Sequence, residues 1–353
     1  MQDQQNKKVL ITGGTGFFGE LLGKSLLNRG INCVSIDIEK DLYCHPNLVS
    51  IDANILNKDK LEQIFSEHKF DAIFHFASIN PHVIKDKNIT WDTNVVGTKN
   101  IVELAKKYNT PKIIYLSTSA IWGQGSEKKI TEENPPNPLE IYGQSKLEAE
   151  KILLEYTDDI KIIIFRCPII IDSGRLGLLS VLFELIHDGC TVLLPNKGKD
   201  RVQYIYAQDL IAACIKAMNY DKSDVFNIGS DYVKTNSEIL NFLIKQTGSK
   251  SKITYIPKYM IVILILLIKV ANLFKLSPLN NYHCNMIGKN FILDTSKIKA
   301  KLNWSPTLSN EEMLYKAYRY YIQNIKEIKS TSHCSNNRQP AKSGILKILK
   351  LVS

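Results

Sequence analysis

The 353-residue sequence lacks the devices that hold small secreted folds together. Its seven cysteines (33, 44, 167, 190, 214, 284 and 334) are odd in number, form no CxxC, and keep no zinc-like spacing with the seven histidines. A disulfide framework and a metal site are thereby set aside, and scattered thiols point to a reducing cytoplasm. The opening MQDQQNKKVLIT carries no apolar signal region and runs straight into a strand. No apolar run approaches the roughly 20 residues that a spanning helix needs. No basic stripe interleaved with aromatics appears, so nucleic acid is not the expected partner despite a formal charge of +10. About half of that excess lies beyond residue 325, where Lys326, Lys329, Arg338, Lys342, Lys347 and Lys350 meet only Glu327. The mildly basic body suits a phosphate-bearing small molecule. No internal repeat is visible.

What is present is an ordinary globular composition, 44% hydrophobic and 23% charged, in a chain long enough for one large domain or two packed ones. Near-continuous apolar runs predict strands at Val9–Thr12, Asn32–Asp37, Leu48–Ile51, Ala72–Ala77, Lys112–Ser117 and Lys161–Arg166. Helical periodicity falls between them, near Phe18–Asn28, Lys58–His68, Trp91–Tyr108 and Tyr142–Tyr156. This alternation predicts an α/β fold, a doubly wound parallel sheet of the Rossmann type that binds dinucleotides. Residues 1–167 form the NAD-binding domain, and 201–230 return to it with a strand-helix unit and a last strand at Val225–Ile228. Residues 168–200 and 231–325 are expected to make a smaller, mainly helical substrate lobe, with a loop at Pro168–Gly177 and a helix near Leu178–Asp188. Residues 326–353 form a basic tail.

Two apolar segments raise the question of a membrane. Residues 259–268, YMIVILILLI, are too few to span one and are expected to form a core helix or the wall of an apolar pocket. The tail puts Ile345, Ile348, Leu349 and Val352 on one helical face with Lys347 and Lys350 away from it. Such an end can lie on an anionic bilayer or serve as a packing arm.

The chemistry begins in Thr12-Gly-Gly-Thr-Gly-Phe-Phe-Gly19, which follows a strand and opens a helix. Gly13, Gly16 and Gly19 let the backbone turn tightly and approach a pyrophosphate, with Phe17 and Phe18 at the helix's amino end. Asp37 ends the second strand at the distance suited to the ribose hydroxyls of NAD, and no arginine follows it to welcome a 2′-phosphate. Asp52-Ala53 ends the third strand, where a carboxylate could meet the adenine amino group or simply cap a helix. Phe76-Ala77-Ser78 ends the fourth with small residues that admit a cofactor close to the backbone. Asn94 stands in a helical pattern that it does not favour, a sign of structural support beneath the site.

Tyr142-Gly-Gln-Ser-Lys146 is the decisive element, because residues at i and i+4 share a helix face. A phenol near pKa 10 is a poor base at neutral pH, and a neighbouring ammonium favours its phenolate. The fifth strand ends in Leu116-Ser-Thr-Ser-Ala-Ile-Trp-Gly123, whose hydroxyls could stabilise charge on a substrate oxygen.

Together TGGTGFFG, Asp37, Asn94 in TNVVGT, STSAIWG and YGQSK resemble an extended short-chain dehydrogenase/reductase of the epimerase/dehydratase type, over about residues 7–320. The resemblance implies Tyr142 as proton shuttle, Lys146 on the nicotinamide ribose, Thr118 as catalytic hydroxyl and Ser117 close by the cofactor. Nucleotide-sugar 4,6-dehydratases of the family place Asp-Glu after the catalytic threonine, whereas Ser119-Ala120 stand here, so dehydration is not expected. UDP-galactose-type epimerases place an asparagine where Ile169 stands and an arginine where Val202 stands; Arg201 lies one residue away. Ser119, Ile169 and Arg201 are accordingly the candidate substrate contacts. The stretch from Ile256 to Leu314 is similar to bacterial sugar epimerases of surface-polysaccharide synthesis, some of them acting on polyprenyl-diphosphate-linked sugars. It is also similar to the hydroxysteroid dehydrogenase branch. The expectation is an NAD-dependent sugar 4-epimerase, with a net dehydrogenase or sugar ketoreductase as alternative. Relatives also imply a homodimer through the helices near 91–108 and 142–156. A merely NAD-sensing scaffold would need no Thr118, Tyr142 and Lys146 together.

Overall fold

The computed structural model describes residues 7–330 apart from 42, 80–85, 175–176, 178, 258, 264 and 267–285. Apolar runs become seven parallel strands: β1 (Lys8–Thr12), β2 (Asn32–Asp37), β3 (Leu48–Asp52), β4 (Ala72–His75), β5 (Lys112–Thr118), β6 (Lys161–Cys167) and β10 (Asp224–Asn227). Their order across the sheet is β10-β6-β5-β4-β1-β2-β3. The order reverses between β1 and β4, and such a switch point opens a crevice at the carboxyl ends of the strands.

Both faces of the sheet are covered, which is why its strands read as unbroken apolar runs. On one face α1 (Phe17–Leu27) and α7 (Ala207–Met218) bury Leu22, Leu26, Leu210 and Cys214 against Val9, Phe74 and Phe165. On the other, α2 (Lys58–Glu67), α4 (Gly97–Lys107) and α5 (Ile141–Leu154) bury Leu61, Ile101 and Leu153 against Leu10, Ile73 and Ile162.

The expected helix over 91–108 is interrupted. A short α3 (Lys87–Trp91) passes through a π-helical turn at Asp92–Val96 before α4 begins. The turn centres on the buried Asn94, whose side chain is fully engaged outside the helix.

The second lobe packs α6 (Leu179–His187), α8 (Asn236–Thr247) and the helix Asn310–Gln323 around Phe183, Leu243, Leu314 and Tyr321. It also holds two short parallel pairs; of their strands only that of the expected 201–230 unit was foreseen, and it pairs here rather than with the large sheet. β7 (Ile169–Ile171) pairs with β9 (Tyr204–Tyr206), within the expected loop at Pro168–Gly177, and β11 (Ile253–Tyr255) pairs with β8 (Val192–Leu194).

The apolar segment beginning at 259 corrects the sequence expectation of a buried helix. Residues 259–263 are helical, but Tyr259, Val262 and Leu266 are 69%, 67% and 61% exposed. The segment follows the bond from the Ile256 N–H to the Leu194 carbonyl, and the core cluster formed by α6, α8 and 310–323 includes none of its described residues. Among the described residues no helix is long and apolar enough to cross a membrane. The tail beyond 330 lies outside the described residues.

Candidate active site

The glycine loop leaves β1 at the switch point. Gly13 adopts φ +74°, and a Cβ there would stand 2.6 Å from the Ala77 nitrogen, so the loop lies directly on the end of β4. The Gly13 N–H donates to the Ile36 carbonyl on β2, and the Gly16 N–H donates back to Gly13. Phe17 and Phe18 are buried in the core, so their side chains anchor α1 while its amino end faces the crevice. A helix start of this kind presents backbone N–H groups and a positive partial charge to a phosphate.

Asp37 closes β2 beside this loop. Its carboxylate accepts from the Thr15 N–H at 3.1 Å and the Ile38 N–H at 2.8 Å, which fixes its orientation. Asp52 is its register partner across β2 and β3, exposed, with the Ala53 N–H bonded to the Asp37 carbonyl. Phe76 and Ala77 donate their N–H groups to the Thr12 hydroxyl, and Ser78 follows them out of the sheet. Loop, acid and strand ends thus surround one narrow crevice whose floor admits backbone but no Cβ. A dinucleotide fits such a cradle, with its pyrophosphate at α1 and a ribose at Asp37.

The catalytic candidates lie on the next strand end and on the helix packed against it. Thr118 terminates β5, and its oxygen accepts the Ala120 N–H at 3.2 Å, capping a one-turn 3₁₀ helix at Ser119–Trp122. That bond uses a lone pair and leaves the hydroxyl proton to donate elsewhere. Helix α5 comes in close because Gly143 has no side chain; a Cβ there would stand 2.5 Å from the Ala120 carbonyl oxygen. Tyr142, the preceding residue, is therefore brought against the turn that Thr118 caps.

One turn further on, Lys146 is 1% exposed, its ammonium 4.0 Å from the centroid of the Tyr115 ring. Burial pushes its pKa down to about 7, partly opposed by the charges of Cys167 and Glu150. Each acceptor brought to this ammonium favours its charged form, so ribose hydroxyls would restore the cation that steadies a Tyr142 phenolate.

The Ser117 side chain is committed within the protein. Its hydroxyl donates to the Glu150 carboxylate, which receives the Arg166 guanidinium at 2.8 Å. Strand alternation turns Ser117 opposite to Thr118, into this buried ion pair. Ser119 is buried in the 3₁₀ turn. Ile169 is 53% exposed on β7, and Arg201 is exposed, its backbone carbonyl accepting from Phe291. Sequence reasoning passed over Thr12, His75, Thr98, Tyr115 and Ser145, all buried between the glycine loop and α5. Thr12, Thr98 and Ser145 lie in the quoted motifs without having been given a role there, and the signal for His75 was a lone histidine in the apolar strand AIFHFAS.

A doubly wound sheet with a glycine-loop crevice and an adjoining Thr-Tyr-Lys set defines a nicotinamide-dependent enzyme of the short-chain dehydrogenase/reductase class. The family model for the NAD dependent epimerase/dehydratase family matches residues 9–229, and the chain belongs to that family. It is 32% identical over 345 residues to the protein y4nG of Sinorhizobium fredii, covering 97% of this chain and 85% of that one. It is 30% identical over 281 residues to a UDP-glucose 4-epimerase of Lacticaseibacillus casei, covering 71% and 84%. In fold it is similar to a UDP-glucose 4-epimerase of Thermotoga maritima solved with UDP-glucose, with a TM-score of 0.74, 23% identity, and 90% and 99% coverage. The protein is thus an NAD-dependent enzyme of the epimerase/dehydratase family.

Proposed function

We propose that the protein is a sugar 4-epimerase acting on a nucleotide- or polyprenyl-diphosphate-linked hexose. The observation that carries this reading is the Thr118–Tyr142–Lys146 set with Ser119-Ala120, rather than a pair of acids, after the threonine. Such a set can move one proton on and off a carbinol oxygen, but those two positions supply no further acid and base for eliminating water.

NAD, held by the glycine loop, Asp37 and Lys146, would supply the hydride acceptor and donor for the sugar C4. Tyr142, as phenolate, removes the C4 hydroxyl proton as the carbon is oxidised. Thr118 donates its hydroxyl hydrogen to the same oxygen, where charge develops. Lys146 holds the ribose and steadies the phenolate by its charge. After the keto sugar has turned over, Tyr142 gives the proton back to the carbinol oxygen, leaving no net redox change. The test is a product assay over UDP-glucose, UDP-GlcNAc and their polyprenyl-diphosphate-linked counterparts. The C4 epimer is expected from one carrier class, and steady NADH production with a sugar or sterol alcohol would instead establish the dehydrogenase alternative.

A lipid carrier and a place in surface-polysaccharide synthesis are supported by the similarity of the Ile256–Leu314 stretch and by two features of the lobe. One is an apolar cavity of about 340 Å³ lined by Val181, Leu185, Val192, Ile239 and Leu314. The other is the exposed apolar row Tyr259, Met260, Val262, Ile263 and Leu266, approached through the exposed Lys250 and Lys252. Apolar side chains beside lysines suit the face of an anionic bilayer. The protein is expected to float with phosphatidylglycerol vesicles at low salt, and Val262→Glu to weaken that binding. Equal recovery of both proteins in the vesicle-free fraction would contradict membrane contact.

A further inference from the structure

His75 ends β4 beneath the crevice, with no exposed surface and outside every step described above. Its hydrogen bonds fix its protonation. The Thr98 hydroxyl donates its one hydrogen to the Asn94 backbone carbonyl, one helical turn back, at 2.6 Å. Towards His75 Nε2, 2.9 Å away, Thr98 is therefore the acceptor, and Nε2 carries a hydrogen. Burial, and then the Lys146 charge, push the imidazole pKa down to about 3, so the ring is neutral and Nδ1 is bare. Nδ1 accepts the Thr12 hydroxyl at 2.7 Å, and the Thr12 oxygen in turn accepts the Phe76 and Ala77 N–H groups.

The chain continues in the same direction. Asn94 is held by both polar groups of the Ile79 backbone and donates to the Ser145 hydroxyl at 2.9 Å. Ser145 donates to the Tyr142 carbonyl, also at 2.9 Å. Five hydrogen bonds, each donated away from the glycine loop, thus link Thr12 to the backbone of Tyr142, the step across Asn94 passing covalently from its backbone carbonyl to its side-chain amide. A second arm leaves the same imidazole. The Tyr115 ring stacks on His75 with centroids 5.5 Å apart and carries the Lys146 ammonium on its π-face. An ammonium over an aromatic face is held by the ring quadrupole, most strongly where water is excluded.

We propose that His75, as its neutral Nε2–H tautomer, is a positioning residue that couples the cofactor loop to the catalytic helix. It would act on Tyr142 through Thr98, Asn94 and Ser145, and on Lys146 through Tyr115. The alternative tautomer would leave Thr12 and Thr98 each facing His75 with the wrong partner, and a charged ring would place a second cation beside Lys146. The proposal rests on Tyr142 and Lys146 acting in proton transfer, but the tautomer can be tested without any substrate.

In ¹⁵N-labelled protein, with the His75 signals assigned by their loss in His75→Gln, long-range ¹H–¹⁵N spectra should report the neutral Nε2–H form from about pH 5 to 8. A titration near the ordinary histidine value, or the Nδ1–H form, would overturn the proposal. Its functional half is read in Thr98→Val, which keeps the shape but removes the hydroxyl, against Thr98→Ser, which retains it. Thr98→Val should lower kcat on the order of 10- to 100-fold, as a small misplacement of reacting groups does. KM should change little, the melting temperature should fall modestly because the buried Nε2–H loses its acceptor, and Thr98→Ser should recover most of both losses. Unchanged kcat, or kcat and melting temperature falling together in both variants, would assign the chain a purely structural role and overturn the coupling. If Thr98→Val does not fold, Ser145→Ala breaks the last link and is judged by the same outcomes.

Discussion

Replacing Tyr142 with phenylalanine is expected to lower turnover by about 10²–10⁴-fold, the usual contribution of a positioned acid–base group, while NAD still binds. The substitution removes one oxygen and keeps the ring. Three contacts that place α5 do not use that oxygen: Gly143 sets the approach to Ala120, Ser145 ties to Asn94, and Lys146 is seated on Tyr115. The cradle for the cofactor lies on β1, β2 and β4 and should be untouched. The loss should therefore fall on kcat, with substrate KM little changed. Activity within tenfold of wild type would place the proton shuttle on another residue.

The largest expected effect on stability belongs to Glu150, two turns beyond Tyr142 on the same helix face. Its carboxylate is 1% exposed and meets the Arg166 guanidinium at 2.8 and 3.1 Å through Oε2 and at 3.3 Å through Oε1, which also accepts the Ser117 hydroxyl. Arg166 is itself buried, donates to the Glu132 carbonyl, and lies over the Trp122 ring. Glu150→Ala would leave a buried guanidinium without its counter-ion and is expected to cost about 3–5 kcal/mol of folding stability. The exposed pair Lys58–Glu103 supplies the contrast, since Lys58→Ala should leave the melting temperature nearly unchanged. Equal melting temperatures for the two variants would show that the Arg166–Glu150 pair is not an anchor of the catalytic helix.

One helix thus carries Tyr142, Lys146 and Glu150 at i, i+4 and i+8, and the sequence displays only part of this. The glycine loop, Asp37 and the Tyr-Lys spacing are local patterns, and the seven strands are unbroken apolar runs because helices cover both faces of the sheet. These features were legible. The direction of Ser117 was not, because a motif match does not register that successive strand residues face opposite ways. The π-turn at Asp92–Val96 was hidden as well: its cause is the capture of Asn94 by Ile79 and Ser145, residues 15 and 51 positions away. His75, Thr12 and Thr98 meet only because β1 and β4 are neighbours in the sheet. The 259–266 segment shows a different gap, since apolar composition does not say whether a helix faces a core or a surface.

The central claim, reversible oxidation and re-reduction at one sugar carbon, is tested most directly with a substrate carrying deuterium at C4. Incubated with the purified protein and no added NAD, the labelled sugar is expected to yield its C4 epimer with the deuterium still at C4. Deuterium appearing at C6 would reveal a dehydratase, and deuterium lost from the sugar into a released reduced cofactor would reveal a dehydrogenase. Either result would contradict the account.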